Sequence, residues 1–239
     1  MFRIAFRSEP THWASGLRRS RSQKRRLQIL WRRCSHLMFE ITDIQRDYIT
    51  EILNISMGSA AAVLSEMVGE EVGLSVPEVA FLPRRVAADQ FDLNNSAKMS
   101  GVTQSVSGAI NGDALLMFPE EKTLTIVRIL LGDTVPVESL TEMEQEAMCE
   151  IGNIILNAIV SSVANLLQKE IVSSLPRFIS GTGSEIYAIN TGCEDDLVMF
   201  LKVGFGLESQ SINGHVTLML NVPSLREFIA HLDEKINAL

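Results

Sequence analysis

The residues best suited to chemistry in this 239-residue chain are two carboxylate–amide pairs. Glu51 is followed three positions later by Asn54, and Glu150 is followed in the same way by Asn153. A carboxylate can pair with a cation, and an amide can donate and accept hydrogen bonds without titrating. Such a pair can dock a charged partner and hold water, but it supplies neither a nucleophile nor a metal.

The two pairs belong to an internal repeat with an offset of 99 residues. An acidic residue lies four positions before each Glu, and a proline lies 23 positions after each Asn. The repeated positions are Asp47, Glu51, Asn54 and Pro77 in the first copy, and Glu146, Glu150, Asn153 and Pro176 in the second. An ordered series of matches is hard to obtain by chance. We therefore expect two halves, at about 42–139 and 141–239.

Each pair must be held by a helix. Thr42-x-x-Gln45 and Thr141-x-x-Glu144 are capping boxes, in which the hydroxyl and the residue three positions on satisfy free backbone N–H groups. They predict helices over about 43–68 and 142–168. At 3.6 residues per turn, each Glu and its Asn share one face, which we expect to point to solvent. The residues predicted to form the opposite, buried faces are Ile49, Ile52, Ala60, Val63 and Met67 in the first helix and Met148, Ile151, Ile155 and Ile159 in the second.

The intervening sequence predicts strands and hairpins. Strand-like runs occupy 72–82 and 171–179, each around a proline, and also 185–190 and 197–205. Asn111-Gly112 and Asn213-Gly214 are typical of type I′ hairpin turns. Helices near 119–131 and 223–237 complete an α+β fold with a pseudo-twofold duplicated unit, an antiparallel-rich sheet and two long amphipathic helices.

The charge is unevenly distributed along the chain. Residues 1–37 carry ten basic residues and one acid, a net charge of +9, whereas the rest carries 11 bases and 28 acids, a net charge of −17. An acidic body disfavours nucleic acid as a partner. The basic extension could bind nucleic acid or an anionic membrane, direct targeting, or be upstream sequence before a start at Met38. We favour the last alternative and expect 1–37 to be disordered or loosely helical.

Other chemistries find no support in the sequence. It contains no H-x-x-x-H pair, no P-loop, no G-x-G-x-x-G and no G-x-S-x-G elbow. Cys34, Cys149 and Cys193 have no metal spacing, and their scattered, odd number fits a reducing, cytoplasmic compartment. No uninterrupted apolar run reaches roughly 18 residues, so we expect no membrane span.

The doubled pattern acid-x-x-x-E-x-x-N-x(22)-P resembles the CheC branch of the CheC/CheX/FliY phosphatases over residues 38–239. The resemblance implies hydrolysis of the aspartyl phosphate on a CheY-type receiver. Asn54 or Asn153 would orient the attacking water, and Glu51 or Glu150 would pair with a receiver lysine. Asp47 and Glu146 would be accessory residues, although the family usually has Asp or Ser at the position of Glu146.

The resemblance also implies the partners. The receiver would supply Mg²⁺ and the lysine, and the protein would need no cofactor or metal of its own. With both copies in one chain it is expected to be a monomer. The family's regulator CheD is a further expected partner. The alternative is a non-catalytic adaptor that docks a receiver or CheD.

Overall fold

The computed structural model describes residues 41–92, 98–131, 142–189, 197–207, 210–220 and 222–238. The basic extension 1–37 and the interpretations attached to it lie outside these residues. The first half contains α1 (Asp43–Val68), β1 (Val72–Pro83), α2 (Arg84–Asp92), β2 (Met99–Gly108), β3 (Gly112–Pro119) and α3 (Glu120–Leu131). The second contains α4 (Glu142–Leu167), β4 (Ile171–Ser173), β5 (Arg177–Gly181), α5 (Gly183–Ile189), β6 (Leu197–Leu207), β7 (Gln210–Leu220) and α6 (Val222–Asn237).

The strands form one antiparallel sheet in the order β1-β6-β7-β3-β2-β4, with β5 also pairing with β2. The halves are interlaced in this sheet. Within the described residues, β1 of the first half pairs only with β6 of the second, and β4 and β5 of the second pair only with β2 of the first. The predicted α+β class with a duplicated unit, an antiparallel sheet and two long helices is confirmed.

The first motif helix begins and ends as its sequence predicts. Thr42 Oγ1 accepts a hydrogen bond from the Gln45 backbone N–H at 3.2 Å, and Gln45 Oε1 accepts one from the Thr42 N–H at 2.7 Å. Gly69 ends the helix in the left-handed conformation with φ of 76°. The matching Thr141 lies outside the described residues, but α4 begins at the predicted position.

The buried face predicted for α4 is confirmed, because Met148, Ile151, Ile155 and Ile159 are all fully buried. The face predicted for α1 is partly wrong. Val63 and Met67 are 50% and 45% exposed. The buried side of α1 is formed by Ile49, Leu53, Met57, Ala60 and Leu64. Apolar residues occur around most of the circumference of α1, so their periodicity does not single out one face.

Two hydrophobic cores lie on opposite faces of the sheet. The larger is packed by α1, α3, α4 and α6, and the smaller by α2 and α5. By length and composition, α4 is the one described helix that could cross a membrane, although its sequence has no uninterrupted apolar run of that length. Half of its apolar window is buried inside the fold, which is typical of the core helix of a globular protein.

The hairpin predicted at Asn111-Gly112 is present, because β2 and β3 are antiparallel neighbours joined by residues 109–111, but its predicted type I′ turn is wrong. The hairpin turn predicted at Asn213-Gly214 is wrong altogether. Among the described non-glycine residues only Gln168 has a positive φ, so Asn111 does not adopt a type I′ turn. Asn213 lies inside β7, paired with Gly204. Glycine is needed for close packing instead. A Cβ at Gly112 would lie 1.9 Å from the Met219 carbonyl oxygen, and one at Gly214 would lie 2.2 Å from the Phe118 ring.

The predicted strand over 185–190 is also wrong. A capping box begins helix α5 there, since Glu185 Oε2 accepts the Thr182 N–H at 2.8 Å and Thr182 Oγ1 accepts the Glu185 N–H at 3.3 Å. The predicted strand over 171–179 is interrupted at 174–176 into β4 and β5. The runs over 72–82 and 197–205 and the helices near 119–131 and 223–237 are confirmed.

Candidate functional site

The amide of Asn54 is bonded to the backbone of β1. Its Nδ2 donates to the Val76 carbonyl oxygen at 3.3 Å, and its Oδ1 accepts from the Val76 N–H at 2.8 Å. The β1–β6 register is interrupted between Ser75 and Glu78, so Val76 has no partner in the ladder. Since buried backbone groups need partners, the Asn54 side chain replaces the missing ladder bonds.

The amide of Asn153 has different partners. Its Oδ1 accepts two hydrogen bonds, from Gln104 Nε2 at 2.9 Å and from Asn157 Nδ2 at 2.9 Å. Gln104 Nε2 also donates to the Ser174 carbonyl oxygen at 3.3 Å. In the part of the chain that the structure describes, Asn153 Nδ2 makes no hydrogen bond. The amide nitrogen therefore remains available to a ligand.

Asn153 lines a cleft of about 520 Å³ between α4 and the β4–β5 connection. Gln104, Asn157 and Ser174 give the cleft a polar wall, and Leu175 lies at its edge with 86% of its surface exposed. The cleft thus combines hydrogen-bonding groups with an exposed apolar side chain, as binding sites commonly do.

The two copies differ at equivalent positions. Val76 is fully buried, whereas its counterpart 99 residues later, Leu175, is exposed. Gln104 of β2 corresponds by the same offset to Val203 of β6, which is fully buried. The first copy is therefore closed around a backbone contact, and the second is open and carries an additional amide.

The four acidic side chains of the motifs are exposed on their helices. These are Asp47, Glu51, Glu146 and Glu150. None of them forms an ion pair or side-chain hydrogen bond with another described residue. Each Glu lies one turn before its Asn on the same helix, so a cation of a docked partner could reach the carboxylate while the amide meets a neighbouring group.

Among the described residues, no three His, Cys, Asp or Glu side chains are grouped to hold a metal ion. Gln104 is the site residue that the sequence interpretation missed. In β2 it lies at two-residue spacing from Val102 and Val106, and alternation places all three on the inward face. A glutamine between two core valines is the signal that could have identified it.

Comparisons with known proteins find similarity to chemotaxis phosphatases. The family model described as chemotaxis phosphatase CheX matches residues 100–194. The flagellar motor switch phosphatase FliY of Bacillus subtilis is 28% identical over 171 residues, which cover 71% of this chain and 44% of FliY. The CheC1 protein of Halobacterium salinarum is 25% identical over 205 residues, covering 82% of this chain and 99% of CheC1. The CheY-P phosphatase CheC of Bacillus subtilis is 23% identical over 139 residues, covering 57% of this chain and 66% of CheC.

The solved structure of Thermotoga maritima FliY shares the fold, with a TM-score of 0.68 at 20% identity, over 83% of this chain and 100% of that one. The chain is thus similar in sequence to the CheC, CheX and FliY phosphatases. The match spans less than half the length of Bacillus FliY.

Proposed function

We propose that this protein is a cytoplasmic phosphatase that hydrolyses the aspartyl phosphate of a CheY-type receiver in chemotaxis signalling. The names of its relatives support the reaction class, since CheC of Bacillus subtilis is called a CheY-P phosphatase. The observation that carries the proposal is the free amide nitrogen of Asn153 at an open cleft, one turn after the exposed carboxylate of Glu150.

In the proposed reaction the receiver supplies its own Mg²⁺ and lysine, and this protein adds positioning groups. Glu150 pairs with the lysine and fixes the docking. Asn153 Nδ2 donates a hydrogen bond to one lone pair of the attacking water, which leaves the second lone pair directed at phosphorus. The P–O bond to the receiver aspartate breaks as the water oxygen bonds to phosphorus, yielding a carboxylate and inorganic phosphate. Phosphoryl transfer depends mainly on such positioning and charge stabilisation.

Glu51 and Asn54 form the second proposed site, with Asp47 as its accessory residue and Glu146 as the accessory residue of the Glu150 site. The amide of Asn54 uses both its oxygen and its nitrogen on Val76. Its capacity to hold water is smaller than that of Asn153. We therefore expect the Glu150–Asn153 site to be the faster of the two.

The test is phosphate release from a phosphorylated CheY receiver in the presence of Mg²⁺. Asn153→Ala should remove most of the acceleration, Asn54→Ala a smaller part, and the double variant all of it. Asn165→Ala, an exposed asparagine on the same helix as Asn153, is the matched control and should be as fast as the parent. A folded double variant that still accelerates release at the parental rate would refute the assignment.

Asn54→Ala needs a stability control of its own. It leaves the Val76 N–H and carbonyl oxygen without their partners, which should cost about 1–3 kcal/mol of unfolding free energy. Activity should therefore be measured well below the melting temperature of that variant.

The non-catalytic adaptor is the second candidate, and the Asn54–Val76 contact favours it. In that contact a motif asparagine has a structural role, because it supplies hydrogen bonds to the Val76 backbone. An adaptor would bind a receiver or CheD without shortening the lifetime of the aspartyl phosphate. Binding measured by titration calorimetry, combined with an unchanged phosphate lifetime, would select this function. In either case we propose that the protein acts as a monomer, which light scattering can test.

A further inference from the structure

Gln104 is a buried polar residue with an unusual set of contacts. It is 1% exposed, and both of its hydrogen bonds are donated by Nε2. Its Oε1 is buried and accepts no hydrogen bond among the described residues. An orphaned buried polar atom is costly and calls for an explanation. The side chain is held so that its nitrogen, and not its oxygen, faces the cleft.

The contact with Ser174 determines which amide atom of Gln104 and which amide atom of Asn153 face each other. A backbone carbonyl oxygen can only accept, so the atom of Gln104 that meets Ser174 must be the nitrogen. The same nitrogen meets Asn153, so the Asn153 atom facing it must be the oxygen. Asn157 donates to that oxygen as well, which occupies both of its lone pairs. The NH₂ group of Asn153 is thereby directed away from β2.

The first copy has no equivalent of this arrangement. The position matching Gln104 is Val203, which can make no hydrogen bond through its side chain, and the amide of Asn54 is turned to Val76. The orienting contact therefore belongs to the second copy, although Gln104 itself comes from the first half of the chain.

We propose that Gln104 is a positioning residue that fixes the amide of Asn153 with its oxygen inward and its NH₂ outward, so that Asn153 acts only as a hydrogen-bond donor. This inference rests on the proposed phosphatase function for its kinetic consequence. Its structural consequence, a single amide orientation in the free protein, does not depend on that function.

The experiment replaces Gln104 in a chain whose first site is silenced by Glu51→Ala. Gln104→Met keeps the length of the side chain and removes the donor. Gln104→Glu keeps the shape and places oxygen acceptors where the donor was. Thr103→Val, at the neighbouring buried position on the opposite face of β2, is the matched control. All variants are compared in phosphate release from a phosphorylated CheY receiver over a range of receiver concentrations.

The rate at saturating receiver should fall about tenfold or more for both Gln104 variants, because a misplaced group loses most of its positioning effect. The receiver concentration at half-saturation should stay within about twofold of the parent, because Glu150 still docks. Thr103→Val should match the parent in both quantities. For Gln104→Glu the rate relative to the parent should recover as the pH is lowered, because a protonated carboxyl group regains a donor.

A second measurement needs no activity. The side-chain NH₂ signals of Asn153 in a ¹H–¹⁵N spectrum can be identified by their loss in Asn153→Ala. They should shift in Gln104→Met and stay in place in Thr103→Val. Unshifted signals in Gln104→Met would overturn the orientation itself.

The outcomes separate the two proposals. If the unmodified chain does not accelerate phosphate release, the proposed function fails, and if only the Glu51→Ala parent does not, the Glu150–Asn153 site fails; in both cases the spectrum alone decides the orientation. If that parent is active and Gln104→Met matches its saturating rate, or changes only the half-saturating concentration, the positioning role is overturned while the phosphatase function stands. If Gln104→Met does not fold, Gln104→Glu decides by the same criteria.

Discussion

Helix α4 touches β2 so closely at Gly152 that one added methyl group should move the site. A Cβ at Gly152 would lie 2.5 Å from Val102 Cβ and 2.6 and 2.8 Å from its two γ carbons. Carbon atoms pack at about 3.5–4.0 Å, so Gly152→Ala must displace α4 from β2 by about 1 Å. Val102 is fully buried and β-branched, so it cannot rotate out of the way.

The free energy of unfolding follows from two opposing effects. Alanine is favoured over glycine within a helix by about 1 kcal/mol. Overpacking a core typically costs about 1–3 kcal/mol, so Gly152→Ala should be neutral to destabilising. Gly58 in α1 is the matched control, because nothing lies within 4 Å of a Cβ built there. Gly58→Ala should therefore stabilise the protein by about 1 kcal/mol.

The assay is urea unfolding of both variants beside the parent, followed by phosphate release. We expect the unfolding free energies of the two variants to differ by about 1–3 kcal/mol, with Gly58→Ala the more stable. A shift of about 1 Å would stretch the 2.9 Å Gln104–Asn153 bond beyond hydrogen-bond length, so Gly152→Ala should also be slower. Adding Val102→Ala should restore part of the lost stability. Equal stabilisation by the two alanines would refute the packing argument.

Three further predictions concern stability and docking. Burial, assisted by the charge of Lys202, lowers the pKa of His215 to about 4, so the unfolded chain binds this proton more tightly below pH 6.5. Stability should fall by about 2 kcal/mol between pH 7 and pH 5 in urea titrations, and His215→Phe should remove that loss; an unchanged pH slope would contradict this. Thr42→Ala should lower the unfolding free energy by about 1 kcal/mol through loss of the cap, and a melting temperature equal to that of the parent would contradict it. Leu175→Ser should leave stability within about 0.5 kcal/mol and raise the half-saturating receiver concentration, and undiminished receiver binding would exclude Leu175 from the docking surface.

Local signals in the sequence predicted the motif helices well. Capping residues and glycine act through neighbouring backbone groups, and α1 begins and ends where Thr42 and Gly69 place it. The buried stripe of α4 was also predictable, because one side of that helix is consistently apolar.

Contacts between residues far apart in the sequence could not be predicted. Asn-Gly pairs are typical of turns, but Gly112 and Gly214 are required by the close approach of Met219 and Phe118. The bonds from Asn54 to Val76 and from Gln104 to Asn153 join residues 22 and 49 positions apart. Pattern and propensity carry no information about such long-range partners, so the different environments of the two asparagines could not be foreseen.

The interlaced sheet bears on how the duplicated halves can be separated. A cut in the segment between α3 and α4 would not release two small domains, because each fragment would leave its leading strands without a neighbour. The fragments should instead recover their fold by complementation when mixed, as the protomers of a strand-swapped dimer do. Asn153 accepts a hydrogen bond from Gln104, which would lie in the other fragment. The second motif would therefore regain this contact only in the reassembled pair.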